Sequence, residues 1–460
     1  MTPPRNSTTT AGARRARYLR HLTRPGPWLR RFVFWGGAIA TGATAVAFAR
    51  ASDEAFKGFE WVIHQHPVVQ WILPPVGLGV VAWLTRNVFP GTQGSGIPQT
   101  MAALSVEHGE ARDRLLSMRI ALGKLLLTVM ALGSGASVGR EGPTVQIGAS
   151  IMHSLGRLAR FSATDIDRGL ILAGGAAGVA AAFNTPLAGI VFAVEELSRS
   201  FEERTSGTIL TTVILAGVTS VALVGNYTYF GSTQATMAMP HMWLIVPVCA
   251  LVGGLAGGGF AQAMIRLRFG LPGWLGDFRT HSPVFFAMAC GVAVAAIGWA
   301  SSGSTFGTGY IEARGLVQQQ IMPNHAFAPL KALATLVSYL SGIPAGIFAP
   351  TLAVGAGIGG TLSTWFPATP SGAVVVLTMA AYFAGVVQAP LTALVIVTEM
   401  TGDRELTLPL MAVTLMARGV SAIICRESLY RALAVPFIAV HSSDTGAARE
   451  LTKWIPPQRS

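Results

Sequence analysis

The sequence predicts an all-α polytopic membrane protein. Hydrophobic residues make up 51% of the 460-residue chain and charged residues only 12%, and the mean hydropathy is +0.51. Soluble domains carry about 25% charged residues, so a soluble protein of this length is not expected. Because lipid offers the backbone no hydrogen bonds, the apolar runs should be helices. These runs lie at 32–49, 71–89, 118–135, 169–194, 208–225, 242–264, 284–300, 327–340, 346–362, 372–398 and 407–425.

The N-terminal segment 1–31 is strongly basic, with eight arginines and no Asp or Glu. By the positive-inside rule this segment should be cytoplasmic. A nucleic-acid-binding arm is the alternative, but no aromatic interleaving or binding module accompanies the arginines, so we expect no nucleic-acid partner. The layout of a signal peptide is absent as well, and the first apolar run should be the first membrane helix.

The rest of the chain predicts one transmembrane domain over 32–435. A polar break, "EERTSG", divides it into halves of about 32–202 and 208–435, as expected for two structural repeats of inverted topology. No clear residue-level match between the halves is evident. The polar tail 436–460 is too short for a soluble regulatory domain. We expect a multi-pass protein of the cell's inner membrane with both termini in the cytoplasm.

Glycine and proline interrupt the apolar sequence at four places. Each has small residues before a proline and an apolar run after it, which predicts a helix that begins inside the membrane. The four stretches are "GTQGSGIPQT" (91–100), "GSGASVGREGPT" (133–144), "FNTPLAG" (183–189) and "SGIPAGIFAPTLAVGAG" (341–357). Backbone of this kind is tolerated at such depth only where protein buries it or where it lines a cavity.

Several helix starts at one point would form an anion site. A helix N-terminus carries about half a positive charge and several N–H groups without partners. The stretches around Pro98, Pro143 and Pro350 could each supply one such end, and Ser95 could add a hydroxyl donor. The alternative is that the glycines only allow close helix packing. A nucleotide phosphate loop is excluded because the GK[ST] ending is missing.

No metal, cofactor or disulfide is expected. Cys249, Cys290 and Cys425 lie in or beside apolar runs without pairing or metal-ligand spacing, which favours small buried side chains. The histidines show no HExxH-type spacing. A nucleophile–base pair for an intramembrane hydrolase is also not visible, so no enzymatic activity is expected.

Five segments together carry a resemblance to a known family. "GSGIP" at 94–98, "GREGP" at 139–143 and "GIFAP" at 346–350 occur in this order, with "FNTPLAGIVFAVEE" at 183–196 and "SLYRAL" at 428–433. They resemble the CLC family of chloride channels and proton-coupled chloride transporters. The resemblance covers about 90–435. It implies a homodimer in the lipid bilayer, each subunit having its own pore built from two inverted repeats of tilted and broken helices.

The resemblance also implies roles for individual residues. Ser95 and Tyr430 would hold the central anion with their hydroxyls, and Ile347 and Phe348 would donate backbone N–H groups. The loop around the outer anion position would contain Gly139, Arg140 and Gly142. Glu141 would be the external gate, and Glu196 matches the internal proton glutamate of the transporter branch.

Physical reasoning supports a gate at Glu141. An ionisable residue at a helix start inside the membrane is a functional hypothesis, and its carboxylate would compete with chloride for the same N–H groups until a proton neutralises it. An ion pair with Arg140 is the alternative. Adjacent residues of a helix do not face each other, so Arg140 is expected to support the loop instead.

Other charged residues in the apolar sequence are assigned structural roles. Glu195 and Glu196 end an apolar stretch, so charged residues at the membrane–water boundary are the alternative to a proton role, and Glu195 keeps a structural role. Glu399 is expected to be a structural acid at a helix end. Lys124 lies within an apolar run and needs a partner. In relatives an acid after "GSGIP" could serve, but "QTMAAL" offers none here, so its partner is open.

The sequence therefore predicts a chloride/proton antiporter of the CLC family, with chloride and protons as substrates. Serine in "GSGIP" suits chloride, whereas nitrate-preferring members carry proline there. Fluoride exporters depart at "GREGP" and at the tyrosine, and neither departure is seen. A passive voltage- or pH-gated chloride channel on the same fold is the alternative.

Overall fold

The computed structural model describes residues 25–106, 110–159, 164–198, 203–225, 228–233, 239–322 and 324–441. Among these residues the regular structure is helical, as the sequence predicts, apart from isolated bridges between loops. Residues 1–24 and 442–460 lie outside the described part, and with them most of the basic segment and of the polar tail. The first six residues of that tail, 436–441, continue a helix.

The helices of the first half are α1 (Pro25–Gln65), α2 (Leu73–Asn87), α3 (Ile97–Ser105), α4 (Glu110–Asp113), α5 (Met118–Gly133), α6 (Glu141–Leu158), α7 (Thr164–Phe183), α8 (Pro186–Phe192) and α9 (Glu203–Val224). A π-helical turn, Ala193–Ser198, extends α8. The helices of the second half are α10 (Met239–Phe269), α11 (Gly273–His281), α12 (Pro283–Ala300), α13 (Tyr310–Val317), α14 (Phe327–Leu340), α15 (Phe348–Ser363), α16 (Ser371–Val387), α17 (Pro390–Thr401), α18 (Thr407–Ile424) and α19 (Leu429–His441).

Six helical segments of the described residues are long and apolar enough to cross a membrane. They are Arg31–Gln65, Glu110–Gly133, Ile166–Phe183, Leu244–Phe269, Pro283–Ala300 and Thr407–Ile424. Shorter apolar helices such as α14, α16 and α17 lie between them. Large apolar side chains such as Trp83, Trp299 and Leu415 remain exposed, as expected where lipid replaces water around the protein.

Two of the predicted apolar runs are each broken into two helices. The run 169–194 ends one helix at Phe183 and begins the next at Pro186, and the run 372–398 does the same at Val387 and Pro390. The breaks fall at Asn184 and Gln388, whose φ angles are 57° and 59°. A left-handed residue with a proline two positions later cannot continue a helix. Only the first of these breaks was expected from the sequence.

The helix order of the first half recurs in the second. In both halves a long helix packs on two others, α1 on α7 and α9, and α10 on α16 and α18. The tightly packed pair α6 and α7 corresponds to α15 and α16. This arrangement fits the predicted pair of structural repeats, although the boundaries 32–202 and 208–435 stay a prediction.

A residue-level match between the halves accompanies the helix order, and the sequence reading missed it. Residues in α5 and at the start of α6 are identical to residues in α14 and at the start of α15 when one fixed offset in residue number is applied. This offset aligns Lys124, Thr128, Ser134, Gly135, Gly139, Pro143, Thr144 and Gly148 with Lys331, Thr335, Ser341, Gly342, Gly346, Pro350, Thr351 and Gly355. Few of these residues are adjacent, so the match emerges only when the helices are paired.

Candidate functional site

Three helix starts meet in the interior of the protein. α3, α6 and α15 begin at Ile97, Glu141 and Phe348, each with a proline in its first turn. A fourth helix, α19, brings Tyr430 to the same place, because the Tyr430 and Phe348 rings are stacked with centroids 5.8 Å apart. The predicted starts around Pro98, Pro143 and Pro350 are thus brought together, and the stretch at 183–189 begins α8, whose Phe192 also contacts Phe348.

Backbone hydrogen bonds join the loops that precede these helices. Gly94 donates to Ile343 O over 2.9 Å and accepts from Ala345 N over 3.0 Å. Gly139 and Gly346 exchange two bonds, of 2.6 and 3.2 Å. The loop before α15 therefore lies between the other two and pairs with both. This ladder fixes the helix starts relative to one another.

Glycine is required where these loops approach most closely. Gly96 has a φ of 100°, which L-residues with a side chain rarely adopt. A Cβ on Gly142 would lie 2.3 Å from Ser95 Oγ and 2.8 Å from Ser95 O. The glycines of "GSGIP" and "GREGP" thus allow the start of α6 to pack directly on Ser95.

Glu141 is the first residue of α6 and is buried, with 1% of its surface exposed. Neither carboxylate oxygen makes a hydrogen bond of good geometry within the described residues. A Cβ on Gly139 would lie 2.5 Å from Glu141 Oε2 and 3.4 Å from Ala349 N. The carboxylate therefore shares a small space with the start of α15, whose first N–H groups have no acceptor within that helix.

The hydrogen bonds and the ion pair of the Arg140 side chain go to α1, and none goes to Glu141. Its Nη1 donates to Asp53 Oδ1 over 2.5 Å and to Ala49 O over 2.9 Å. The expected supporting role of Arg140 agrees with this geometry. Any contact with an anion would come from its backbone, because its side chain points to α1.

Ser95 and Tyr430 face each other below the helix starts. Both are buried, and the Tyr430 hydroxyl lies close to that of Ser95. Ser95 Oγ has no hydrogen bond of good geometry within the described residues, so it has a donor to offer. Phe348 is held by Phe183, Phe192, Phe383 and Tyr430, which fixes the backbone of Ile347 and Phe348 at the start of α15.

Glu196 lies in the π-helical turn after α8 and is buried. Ser428 Oγ donates to its Oε1 over 3.0 Å. Ser428 directly precedes α19, two residues before Tyr430. Glu196 is therefore held next to the first turn of α19, which carries Tyr430. π-helical turns occur frequently at functional sites.

The partner of Lys124 is the backbone of the loop before Ser95. Lys124 Nζ donates to the carbonyls of Thr92 and Gly94, each over 2.7 Å. The corresponding Lys331 donates to the carbonyls of Thr305 and Gly307 over 2.9 and 2.8 Å. Carbonyl oxygens thus replace the acid that the sequence lacks.

The sequence reading gave Glu195 and Glu399 structural roles but missed that they act as a reciprocal pair. Glu399 accepts from the N–H groups of Leu187 and Ala188 at 3.2 and 2.7 Å. Glu195 accepts from those of Leu391 and Thr392 at 3.1 and 2.6 Å. Each therefore caps the helix that carries the other. The signal was present, since "PLAGIVFAVE" and "PLTALVIVTE" match in length and at both ends.

Other expectations concern metals and cysteines. The part of the chain that the structure describes contains no group of three or more His, Cys, Asp or Glu placed to hold a metal ion. Cys249, Cys290 and Cys425 are free and buried, as the sequence indicates.

The comparisons with known proteins agree with one family. The sequence model described as "Voltage gated chloride channel" matches residues 77–422. The H(+)/Cl(-) exchange transporter ClcA of Cronobacter sakazakii is 28% identical over 432 residues, covering 89% of this chain and 90% of that protein. ClcA of Citrobacter koseri is 29% identical over 377 residues, covering 79% and 78%.

Solved structures show the same fold. A slow cyanobacterial Cl−/H+ antiporter superposes with a TM-score of 0.78 at 23% identity, covering 89% of this chain and 98% of that one. A CLC-type fluoride/proton antiporter gives a TM-score of 0.72 at 21% identity, covering 88% and 97%. The predicted CLC fold is confirmed. The chain belongs to the CLC family, the voltage gated chloride channel family of integral membrane proteins.

Proposed function

We propose that this protein is a chloride/proton antiporter. The observation that carries the proposal is the position of Glu141, a buried carboxylate without a hydrogen bond of good geometry in the described residues, at the convergence of helix starts. A negative charge there occupies the space where N–H groups and hydroxyls would hold chloride. The naming of the relatives as exchange transporters supports the proposal.

Chloride would bind between Ser95, Tyr430 and the backbone N–H groups of Ile347 and Phe348. The loop residues Gly139, Arg140 and Gly142 would surround an outer position beside Glu141. Binding would come from partial charges rather than from a full positive charge, which suits an ion that must also leave. No cofactor takes part in this scheme, and chloride is the substrate.

Protons would move by way of Glu141 and Glu196. A proton on Glu141 removes its charge and releases the helix starts to chloride, so one site serves two ions in turn. Glu196, held by Ser428 two residues before Tyr430 in the chain, would exchange protons with the interior of the cell. Glu196 is what distinguishes this scheme from a passive channel.

The assembly and placement of the protein follow from the same proposal. We expect a homodimer in the inner membrane with one pore in each subunit and both termini in the cytoplasm.

The test is a paired flux measurement on the purified protein in proteoliposomes. A chloride gradient should drive protons against their own gradient, in the direction opposite to chloride. Chloride flux without proton movement would indicate a channel and overturn the proposal.

A further inference from the structure

A cavity of about 600 Å³ lies beside the candidate anion site. Its wall includes Gly94, the direct neighbour of Ser95 in the chain, together with Gln99 and Tyr339. The Tyr339 hydroxyl lies 3.4 Å from the point where a Cβ of Gly94 would stand. The volume falls within the range of roughly 300–1,000 Å³ typical of small-molecule sites, whereas one water takes about 30 Å³. The cavity is larger than a single halide ion requires.

Three arginines from three helix ends line this cavity. Arg86, Arg268 and Arg279 lie in the last turns of α2, α10 and α11. Arg279 donates to the carbonyls of Leu267 and Arg268, over 3.2 Å each, which holds it beside Arg268. The guanidinium groups of Arg86 and Arg268 make no hydrogen bond or ion pair within the described ranges. Two guanidinium groups are therefore available to a ligand.

The positive charge of the cavity is not compensated by its wall. Among the described residues that line it there is no Asp or Glu. Burial, and after it the charge of Arg268, lowers the pKa of the Arg279 guanidinium. Like charges held together in a partly buried space are costly unless an anion binds between them.

The residue type indicates which anion fits. Guanidinium groups present planar pairs of N–H donors that match the oxygens of phosphate, and they are the preferred groups for bidentate phosphate recognition. The rest of the wall adds apolar surface from Phe286, Leu340 and Leu433. A small spherical ion would use little of this arrangement, but a phosphate group could contact two arginines at once.

We propose that the cavity is a binding site for a phosphate-bearing anion, and that an anion bound there obstructs the approach of chloride to Ser95. The second part rests on the proposed chloride transport, whereas the first does not. By the positive-inside rule the arginine-rich helix ends indicate the cytoplasmic face, so the anion would come from the cytoplasm or from the headgroup of an inner-leaflet lipid.

Binding is tested by calorimetric titration of inorganic pyrophosphate into the purified, lipid-depleted full chain in a chloride-free buffer. We expect saturable binding that weakens about tenfold in Arg268→Gln, a loss of about 1.4 kcal/mol, because a charge-assisted contact is removed. Arg266→Gln is the matched control, since it removes the same charge two residues earlier on α10 and outside the cavity wall. Its affinity should stay within about twofold of the parent.

Equal weakening in both variants would show diffuse charge attraction and overturn the proposal. Arg268→Lys keeps the positive charge but lacks the planar guanidinium, so its affinity for pyrophosphate should lie between those of the parent and Arg268→Gln. If Arg268→Gln fails to fold, Arg86→Gln provides the same comparison, because Arg86 also lines the cavity.

A second titration, with phosphatidic acid in mixed micelles, distinguishes a soluble phosphate-bearing anion from a lipid headgroup. Arginine-dependent binding of pyrophosphate indicates a soluble anion, and arginine-dependent binding of phosphatidic acid alone indicates a lipid headgroup. Failure of both probes overturns the proposal.

Transport separates this inference from the proposed function. Pyrophosphate on the arginine-rich side of proteoliposomes should slow chloride flux in the parent and not in Arg268→Gln. Absence of all chloride flux would count against the proposed function while leaving the binding result standing. Normal chloride flux without binding of either phosphate probe would overturn this inference and leave the proposed function standing.

Discussion

The guanidinium of Arg140 is paired with Asp53 of α1, with Nη1 2.5 Å from Oδ1, although Arg140 is the direct neighbour of Glu141 in the chain. This pairing directs the arginine away from the anion site. The Asp53 side chain is 55% exposed, whereas that of Arg140 is 9% exposed, so a solvated carboxylate holds a largely buried guanidinium. The carboxylate of Asp53 partly neutralises the Arg140 charge, which would otherwise act on Glu141 in full.

Asp53→Asn should therefore alter the gate more than the fold. Without Asp53 the Arg140 charge stabilises the Glu141 carboxylate more strongly, and protonation of the gate needs a higher proton concentration. The pH dependence of chloride transport should shift to lower pH, and the melting temperature should fall only modestly, because asparagine keeps an oxygen that accepts from Arg140. Glu54→Gln, which removes an exposed carboxylate one residue away, is the control, and an equal shift in both would contradict the pairing.

Glu141→Gln should uncouple the two ions. The amide has the shape of the protonated acid and carries no charge, so chloride flux should continue while proton movement driven by chloride disappears. Paired flux in proteoliposomes measures both. Glu110→Gln, which removes an exposed carboxylate, should leave both unchanged, and tight coupling that persists in Glu141→Gln would refute the gate.

Glu196→Gln should abolish proton movement and spare chloride flux. The adjacent Glu195 is the control, because it caps α17 through two N–H groups. Glu195→Gln should lower stability by about 1 kcal/mol and keep proton transport. The melting temperature should fall more in Glu195→Gln, and the proton flux should fall more in Glu196→Gln. Proton pumping by Glu196→Gln would contradict its role in proton transfer.

Gly142→Ala should damage the anion site by sterics alone. The added Cβ would lie 2.3 Å from Ser95 Oγ, so the serine or the start of α6 must move. We expect chloride binding, measured by calorimetry, to weaken at least tenfold. Gly259→Ala on α10, where nothing lies within 4 Å of the new Cβ, should bind chloride normally and gain slightly in stability.

Lys124→Met and Lys331→Met compare the two repeats. Each leaves two backbone carbonyls without their donor, which should cost about 1–3 kcal/mol in stability. Only the Lys124 carbonyls belong to the loop before Ser95, so chloride affinity should fall more in Lys124→Met. Similar losses of affinity in both variants would show that the loop at 92–94 does not position the site.

Most of the fold was predictable because apolar length and proline position are local signals. The stretches around Pro98, Pro143 and Pro350 begin helices where the sequence predicts them. The break at Gln388 was missed because glutamine carries no signal for a left-handed conformation, and only its likeness to the break at Asn184 could have indicated it.

The residues of the candidate site could be predicted from the sequence, but the hydrogen-bond partners of their neighbours could not. Glu141, Ser95 and Tyr430 are brought together, and their roles stay predictions until transport is measured. The partners of Lys124 and Arg140 could not be predicted from the sequence. Lys124 bonds backbone carbonyls, which every residue carries, and the partner of Arg140, Asp53, lies far away in the chain. The reciprocal pair Glu195 and Glu399 could have been found by aligning the halves.

The ladder of hydrogen bonds between Gly94, the loop at 343–346 and Gly139 has a thermodynamic consequence. Donors fixed to one another need no ordering when an ion arrives, so binding loses little conformational entropy. The frame is preorganised, and in the proposed mechanism the reorganisation energy of each transport step falls on the single side chain of Glu141. Heating should therefore weaken the frame and the ion site together, as one cooperative unit.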